Sequence, residues 1–344
     1  MLTHRVSGAP GGWSELDDDL SKRRRPLDAS RWLRRELARS LGTSPDSRAL
    51  AAYVALNLAQ ATIQLAWGFA TSRVRLISEA FHLLFSSFIL AAGLYALRHA
   101  RAPPDERLTY GGSRLPVLAA FANACFLLFV ALSLAVEGLH ALIDPDPSHH
   151  TSALRAALLN CAVDVVGVAS FRRNASPSTS TSTSTSASAS TPWTRAPEDV
   201  LMRGVLIHAI SQAVRSSRVV LALVLRRVAR VPNPEALASF FAGGVVVAAS
   251  TPSLRDAARV LSQAPPDDSR AALAACRAET SALPGVIACE DVRVWMMAPG
   301  EAVGTVVLRV ERGADRDAVA RETRRAYERR LGARAHLTVE LRER

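Results

Sequence analysis

The stretch LPVLAAFANACFLLFVALSLAV, residues 115–136, decides the fold class of this chain. A helix needs roughly 20 apolar residues to cross a hydrocarbon core about 30 Å thick. This run is long enough, and it contains no Asp, Glu, Lys or Arg. The sequence therefore predicts a transmembrane helix here, and with it an α-helical membrane protein.

Further apolar runs lie on both sides of this stretch, and six transmembrane helices are predicted in all. The predicted spans cover residues 49–70, 75–98, 115–141, 152–171, 202–225 and 235–252. The last two are weaker, because the fifth contains Arg215 and Arg218 and the sixth is short.

The remaining sequence is polar and divides the chain into further parts. Residues 1–48 form a basic arm, and residues 49–262 hold the six spans. Residues 174–196 are a Ser/Thr-rich linker of low complexity, which is expected to be disordered. Residues 263–344 alternate between helical and strand-like patterns in the order α-β-β-α-β, which predicts a small α+β domain.

The distribution of positive charge predicts the orientation in the membrane. The basic arm, the second loop with Arg107 and Arg114, and the linker that begins at Arg172 fall on one side, which we assign to the cytosol together with both termini. The loop between the fifth and sixth spans carries Arg226 and Arg227 and opposes this assignment, but three basic segments outweigh one.

The net charge of +11 does not indicate nucleic-acid binding. There is no zinc-finger spacing and no RNA-binding signature with interleaved aromatic residues. The four cysteines are expected to be free thiols. No nucleophile elbow, catalytic metal motif or Gly-rich phosphate loop supports an enzyme, so a membrane enzyme is only a remote alternative.

Two histidines fall inside predicted spans, where an ionisable residue is a functional candidate. His82 lies in the second span and His208 in the fifth. Ser86 and Gln212 follow them at a spacing of four, which places each pair on one helix face. Two such pairs on facing helices would enclose a four-coordinate site, as zinc prefers. Either histidine alone could instead be a structural hydrogen-bonding residue.

Several segments together resemble the cation diffusion facilitator family of zinc transporters. They are LNLAQATIQLAWGF (56–69), LISEAFHLLFSS (76–87), LLNCAVDVVGVASF (158–171), MRGVLIHAISQ (202–212) and DVRVWMMAPGEAVGTVVLRV (291–310). The resemblance implies exchange of cytosolic zinc for protons across an endomembrane such as the Golgi, in the early secretory pathway. It also implies a metallochaperone-like cytosolic domain that dimerises, as a homodimer or as a heterodimer with an intact relative.

The sequence departs from the pattern of that family at the metal site. The family has His-x-x-x-Asp in both the second and fifth spans, whereas here Ser86 and Gln212 replace the two aspartates. Glu79 or Asp164 could supply the missing negative charge. Arg215 opposes binding: at a separation of about 10 Å and an effective dielectric near 20, it costs about 3 kcal/mol against a divalent ion, unless its side chain reaches the interface.

Two functions follow, with zinc as the transported or bound ion. In the first, the chain moves zinc itself, with His82 and His208 as ligands and Glu79, Ser86 and Gln212 as weaker candidates. In the second, it is a transport-deficient auxiliary subunit of a heterodimeric zinc transporter.

Overall fold

The structure is a computed structural model that describes residues 45–106, 108–144, 150–175, 197–229, 231–265, 269–331 and 334–343. Within these residues, six long helices precede a small domain of two helices and three strands. The long helices are α1 (Pro45–Ala70), α2 (Val74–His99), α3 (Leu115–Ile143), α4 (His150–Ala175), α5 (Pro197–Arg227) and α6 (Pro234–Leu261). The small domain contains α7 (Ser269–Ser281), β1 (Val286–Ala298), β2 (Glu301–Val310), α8 (Arg316–Leu331) and β3 (Arg334–Glu343).

Four of the long helices are long and apolar enough to cross a bilayer. These segments are Asp46–Ala70, Leu76–His99, Leu115–Ile143 and Pro234–Leu261. Helix α4 contributes a shorter apolar segment, Ala157–Phe171. Helix α5 is long enough but not apolar enough to count among them, because it carries several arginines and buried polar side chains. The chain is thus a mostly helical, multi-pass membrane protein with four clear spans, and spans four and five of the predicted six remain predictions.

In the helix bundle, large apolar side chains lie on the outside and many polar side chains lie inside. Trp67, Phe88 and Phe241 are more than half exposed, whereas Asn57 and Ser250 are almost fully buried. Large apolar groups on the outside suit lipid, and polar groups must find partners inside the bundle.

Helices α3 and α6 pack along one another through an apolar cluster that contains Leu127, Leu134 and Val246. Their backbones come close at Gly243, where an added Cβ would lie 3.2 Å from the carbonyl oxygen of Ala131. A larger side chain would therefore push the two helices apart.

The small domain has the predicted order α-β-β-α-β. Strands β1 and β2 form an antiparallel hairpin whose turn places Gly300 at a φ of 82°, and β3 pairs in parallel with β2 after α8 crosses over. Val306, Leu308 and Tyr327 are fully buried in the core between the sheet and its helices.

Two predicted boundaries shift by a few residues. Helix α1 begins at Pro45, inside the arm predicted for 1–48, and proline is a favoured residue in the first helical turn. Helix α4 continues to Ala175 and so includes the first two residues of the linker predicted for 174–196. Residues 1–44 and 176–196 lie outside the described residues.

Candidate transport site

His208 lies at the centre of the bundle, on α5, with none of its surface exposed. Its Nδ1 is 2.6 Å from Asn123 Oδ1 on α3. The Nδ2 amide of Asn123 donates to the carbonyl oxygen of Gly204 at 3.0 Å, which fixes the orientation of the amide. Since Oδ1 can only accept, His208 Nδ1 carries a proton, and the lone pair of a neutral ring lies on Nε2.

That Nε2 lone pair already has a partner. Ser86 Oγ on α2 lies 2.5 Å from His208 Nε2, and Gln212 Nε2 donates to the same Oγ at 2.7 Å. Because Ser86 accepts from Gln212, its own hydroxyl hydrogen is free to point at the imidazole. Gln212 thus stands beside His208 at the helical spacing of four, Ser86 joins them from α2, and the three side chains are linked by hydrogen bonds.

Arg215 continues this chain of hydrogen bonds. Its side chain is 4% exposed. The Nε atom donates to Gln212 Oε1 at 3.0 Å, and Nη1 donates to Glu79 Oε2 on α2 at 2.6 Å. Donors therefore point in one direction from Arg215 through Gln212 and Ser86 to His208. The alternative in which Arg215 extends to the membrane interface is wrong, because two acceptors hold the guanidinium inside the bundle.

A second arginine pairs with the same carboxylate. Arg218 Nη2 lies 3.0 Å from Glu79 Oε1, and Arg218 also bonds to Glu137 Oε2 on α3 and, at 3.3 Å, to Ser239 Oγ on α6. Two arginines and two glutamates balance in charge, so this network adds no net negative charge to the neighbouring site.

His82 stands apart from the cluster around His208. It is half-buried on α2, and among the described residues it makes no hydrogen bond. Its electrostatic surroundings include Arg215, Glu137 and Glu79. Three of the four positions of the predicted site are therefore bonded together, and the fourth, His82, is not bonded to them.

The described residues contain no group of three or more His, Cys, Asp or Glu side chains that could hold a metal ion. The cluster offers one imidazole, one hydroxyl and one amide, all neutral. Such a set fits a hydrogen-bonded core better than a divalent cation, whose charge needs carboxylates in a site of low dielectric.

Asp164, the other acid that could replace a lost aspartate, lies outside this cluster. Asp164 on α4 accepts from Tyr53 Oη at 3.3 Å and from Ser216 Oγ at 2.8 Å.

Sequence reasoning missed Asn123, which orients His208. The available signal is its position as the one amide in the apolar run of residues 115–136. A lone amide in a transmembrane helix needs a partner on a neighbouring helix.

Comparison with known proteins agrees with this architecture. The cation efflux transmembrane domain matches residues 50–262. Metal tolerance protein C2 of Arabidopsis thaliana is 35% identical over 263 residues, which cover 76% of this chain and 63% of that protein. Zinc transporter 7 of Homo sapiens is 26% identical over 321 residues, which cover 80% of this chain and 85% of that protein.

The chain therefore belongs to the cation efflux family, the cation diffusion facilitators, as its segments indicate. It is a membrane protein of a metal-transporting family. It spans less than two thirds of the length of the Arabidopsis relative.

Proposed function

We propose that this chain serves zinc transport as a subunit that moves no zinc through its own transmembrane site, and that it pairs with an intact member of the same family. The partner would carry both aspartates and exchange cytosolic zinc for protons from the organelle lumen. In this arrangement both termini lie in the cytosol, and the small domain contributes to the dimer.

The observation that carries the proposal is the position of Arg215. Its buried guanidinium bonds to Gln212 and to Glu79. A positive charge held one amide away from His208 repels a divalent cation, and in a bundle of low dielectric this repulsion is weakly screened. Glu79, the acid best placed to replace a lost aspartate, is already neutralised by two arginines.

The hydrogen bonds of His208 are a second obstacle to zinc binding. Zinc would need the Nε2 lone pair, which accepts from Ser86 in this structure. Binding would also have to break the contacts of Gln212 with Ser86 and Arg215, and it would leave those buried groups without partners. Each such group costs about 1–3 kcal/mol.

The rival function, in which the chain transports zinc alone, has His82 and His208 as its ligands. It would require Arg215 to move away and Glu79 to turn from its two arginines. We propose the subunit role because it needs neither change.

The proposal is tested by zinc uptake into proteoliposomes that hold this chain together with an intact relative. We expect uptake by the pair to survive His208→Ala in this chain and to be lost when the aspartates of the partner are replaced. The matched control is the partner alone, which shows whether pairing raises its activity. Uptake by the pair that depends on His208 of this chain would overturn the proposal.

A further inference from the structure

The interface between α1 and α4 contains a ladder of buried polar side chains that the site above does not use. On α1 it consists of Tyr53, Asn57, Gln60 and Gln64, which recur at helical spacing on one face. On α4 it consists of Asn160 and Asp164. All six side chains are 6% exposed or less.

The amides of this ladder bond through their nitrogens. Gln64 Nε2 donates to Asn160 Oδ1 at 2.5 Å, and Gln60 Nε2 donates to the same oxygen. Asn57 Nδ2 donates to the backbone oxygen of Tyr53 at 3.0 Å. Asn160 Oδ1 on α4 therefore accepts hydrogen bonds from two amides of α1. The side-chain oxygens of the α1 amides take no part in these bonds.

Those oxygens have no partner. Asn57 Oδ1, Gln60 Oε1 and Gln64 Oε1 are buried without a hydrogen bond to any described residue, and so is Ser211 Oγ on α5. Unpaired buried carbonyl oxygens are rare, and the surrounding hydrocarbon of a bilayer offers them no hydrogen-bond donor. Three acceptors on one helix face require a donor that no described residue supplies, and ordered water in the interface is such a donor.

At one end of the ladder lies Asp164, which receives hydrogen bonds from Tyr53 Oη and Ser216 Oγ. The charged groups that act on it from the neighbouring helices are Arg215 of α5 and Glu79 of α2. These two form an ion pair with one another, so the charge of Asp164 has no direct cationic partner among the described residues. A buried carboxylate without a direct cationic partner is suited to take up a proton.

We propose that α1 and α4 enclose a hydrated proton-binding site, in which Asp164 takes up the proton and the amide oxygens of Asn57, Gln60 and Gln64 hold the water. A hydronium ion gives its proton to a carboxylate oxygen of Asp164 and leaves as water. The site is separate from the His208 cluster, and it does not depend on whether that cluster binds zinc.

The test has two readouts on the purified full chain in lipid nanodiscs. The first is hydroxyl-radical labelling, which modifies a buried side chain only where water lies beside it. We expect Tyr53 to be labelled in the unaltered chain and to lose most of this labelling in Asn57→Leu/Gln60→Leu, which removes two of the acceptors. Because Tyr53 is compared with itself, its intrinsic reactivity cancels.

The second readout is the infrared difference spectrum between acidic and neutral pH. We expect a protonated-carboxyl band that disappears in Asp164→Asn and persists in Asp317→Asn, a change at an exposed acid of α8. If Asp164→Asn does not fold, Tyr53→Phe keeps the carboxyl and removes one hydrogen bond, so the band should shift in frequency.

The proposal requires both results. Labelling of Tyr53 that is absent, or that is unchanged by the double substitution, would show that the interface is dry. A carboxyl band that Asp164→Asn leaves intact, or that Tyr53→Phe does not shift, would show that another acid takes the proton. Either outcome overturns the proposal.

Discussion

Arg215 Nη1 on α5 lies 2.6 Å from Glu79 Oε2 on α2, and this ion pair joins the two helices that carry the metal site in the pattern of the family. The guanidinium is 4% exposed and the carboxylate 20% exposed, so water screens the pair little. Because Arg215 and Glu79 pair with each other, no free carboxylate is available beside His208.

Removing both members of this pair should destabilise the bundle by less than the sum of the two single removals. Arg215→Leu leaves Gln212 Oε1 without its donor and Glu79 with Arg218 alone, which we expect to cost about 3–5 kcal/mol. In the Arg215→Leu background, Glu79→Gln should then cost less than it does alone, with a coupling of about 1–3 kcal/mol. Thermal unfolding of the four members of this cycle in detergent measures the coupling, and additive effects would contradict the pairing.

Asn123 should support the bundle through His208. Asn123→Leu fills similar space but leaves the buried His208 Nδ1 without its acceptor, so we expect a loss of about 1–3 kcal/mol. Ser133→Ala is the matched control on the same helix, since Ser133 bonds only within α3, to the carbonyl oxygen of Phe129. Equal unfolding temperatures for the two variants would refute this role of Asn123.

The buried thiols of the small domain should react slowly. Burial raises the pKa of Cys276 and of Cys289, so at neutral pH less of each thiol is the reactive thiolate. A water-soluble maleimide should modify neither in the folded chain and both in denaturant, as read by mass spectrometry of the peptides. Asp317→Cys provides an exposed control on α8. Rapid modification of Cys276 in the folded chain would show that this core is open.

The small domain should lose stability in acid through Glu279. Hydrogen bonds from Arg330, with Arg329 alongside, hold the pKa of Glu279 below its ordinary value. A group whose pKa is lower in the folded state adds stability above its unfolded pKa and loses it as the pH falls through the folded pKa. The unfolding temperature should therefore drop more between neutral and acidic pH in the unaltered chain than in Glu279→Gln.

Glu328→Gln is the control for that experiment, because Glu328 is an exposed acid on the same pair of helices. It should show the same loss in acid as the unaltered chain. An identical pH response for both variants would mean that the ion pairs of Glu279 contribute nothing measurable.

The sequence predicts much of the fold because a helix that crosses a bilayer needs about 20 apolar residues, and runs of that length are recognisable in the sequence. Residues 115–136 predict α3 without ambiguity, and the alternation in 286–310 predicts the hairpin of β1 and β2. Helix α5 is harder, since its arginines lower its hydropathy while their partners, Glu79 and Glu137, lie on other helices.

The site is predictable only in part, for a similar reason. The spacing of four brings Gln212 beside His208 on one helix. Which groups of α2 and α3 face that helix depends on tertiary packing, so Ser86 joins the cluster, His82 remains outside it, and Asn123 was missed. The burial of Arg215 depends on the same packing.

The central claim is that the loss of both aspartates, together with a buried Arg215, closes the site of this chain to zinc. It is tested most directly by proton-driven zinc uptake into proteoliposomes that hold the chain alone, beside the triple variant Ser86→Asp/Gln212→Asp/Arg215→Leu. We predict no uptake by the unaltered chain and uptake by the triple variant, lost again when His208→Ala is added. Uptake by the unaltered chain that His208→Ala abolishes would contradict the account.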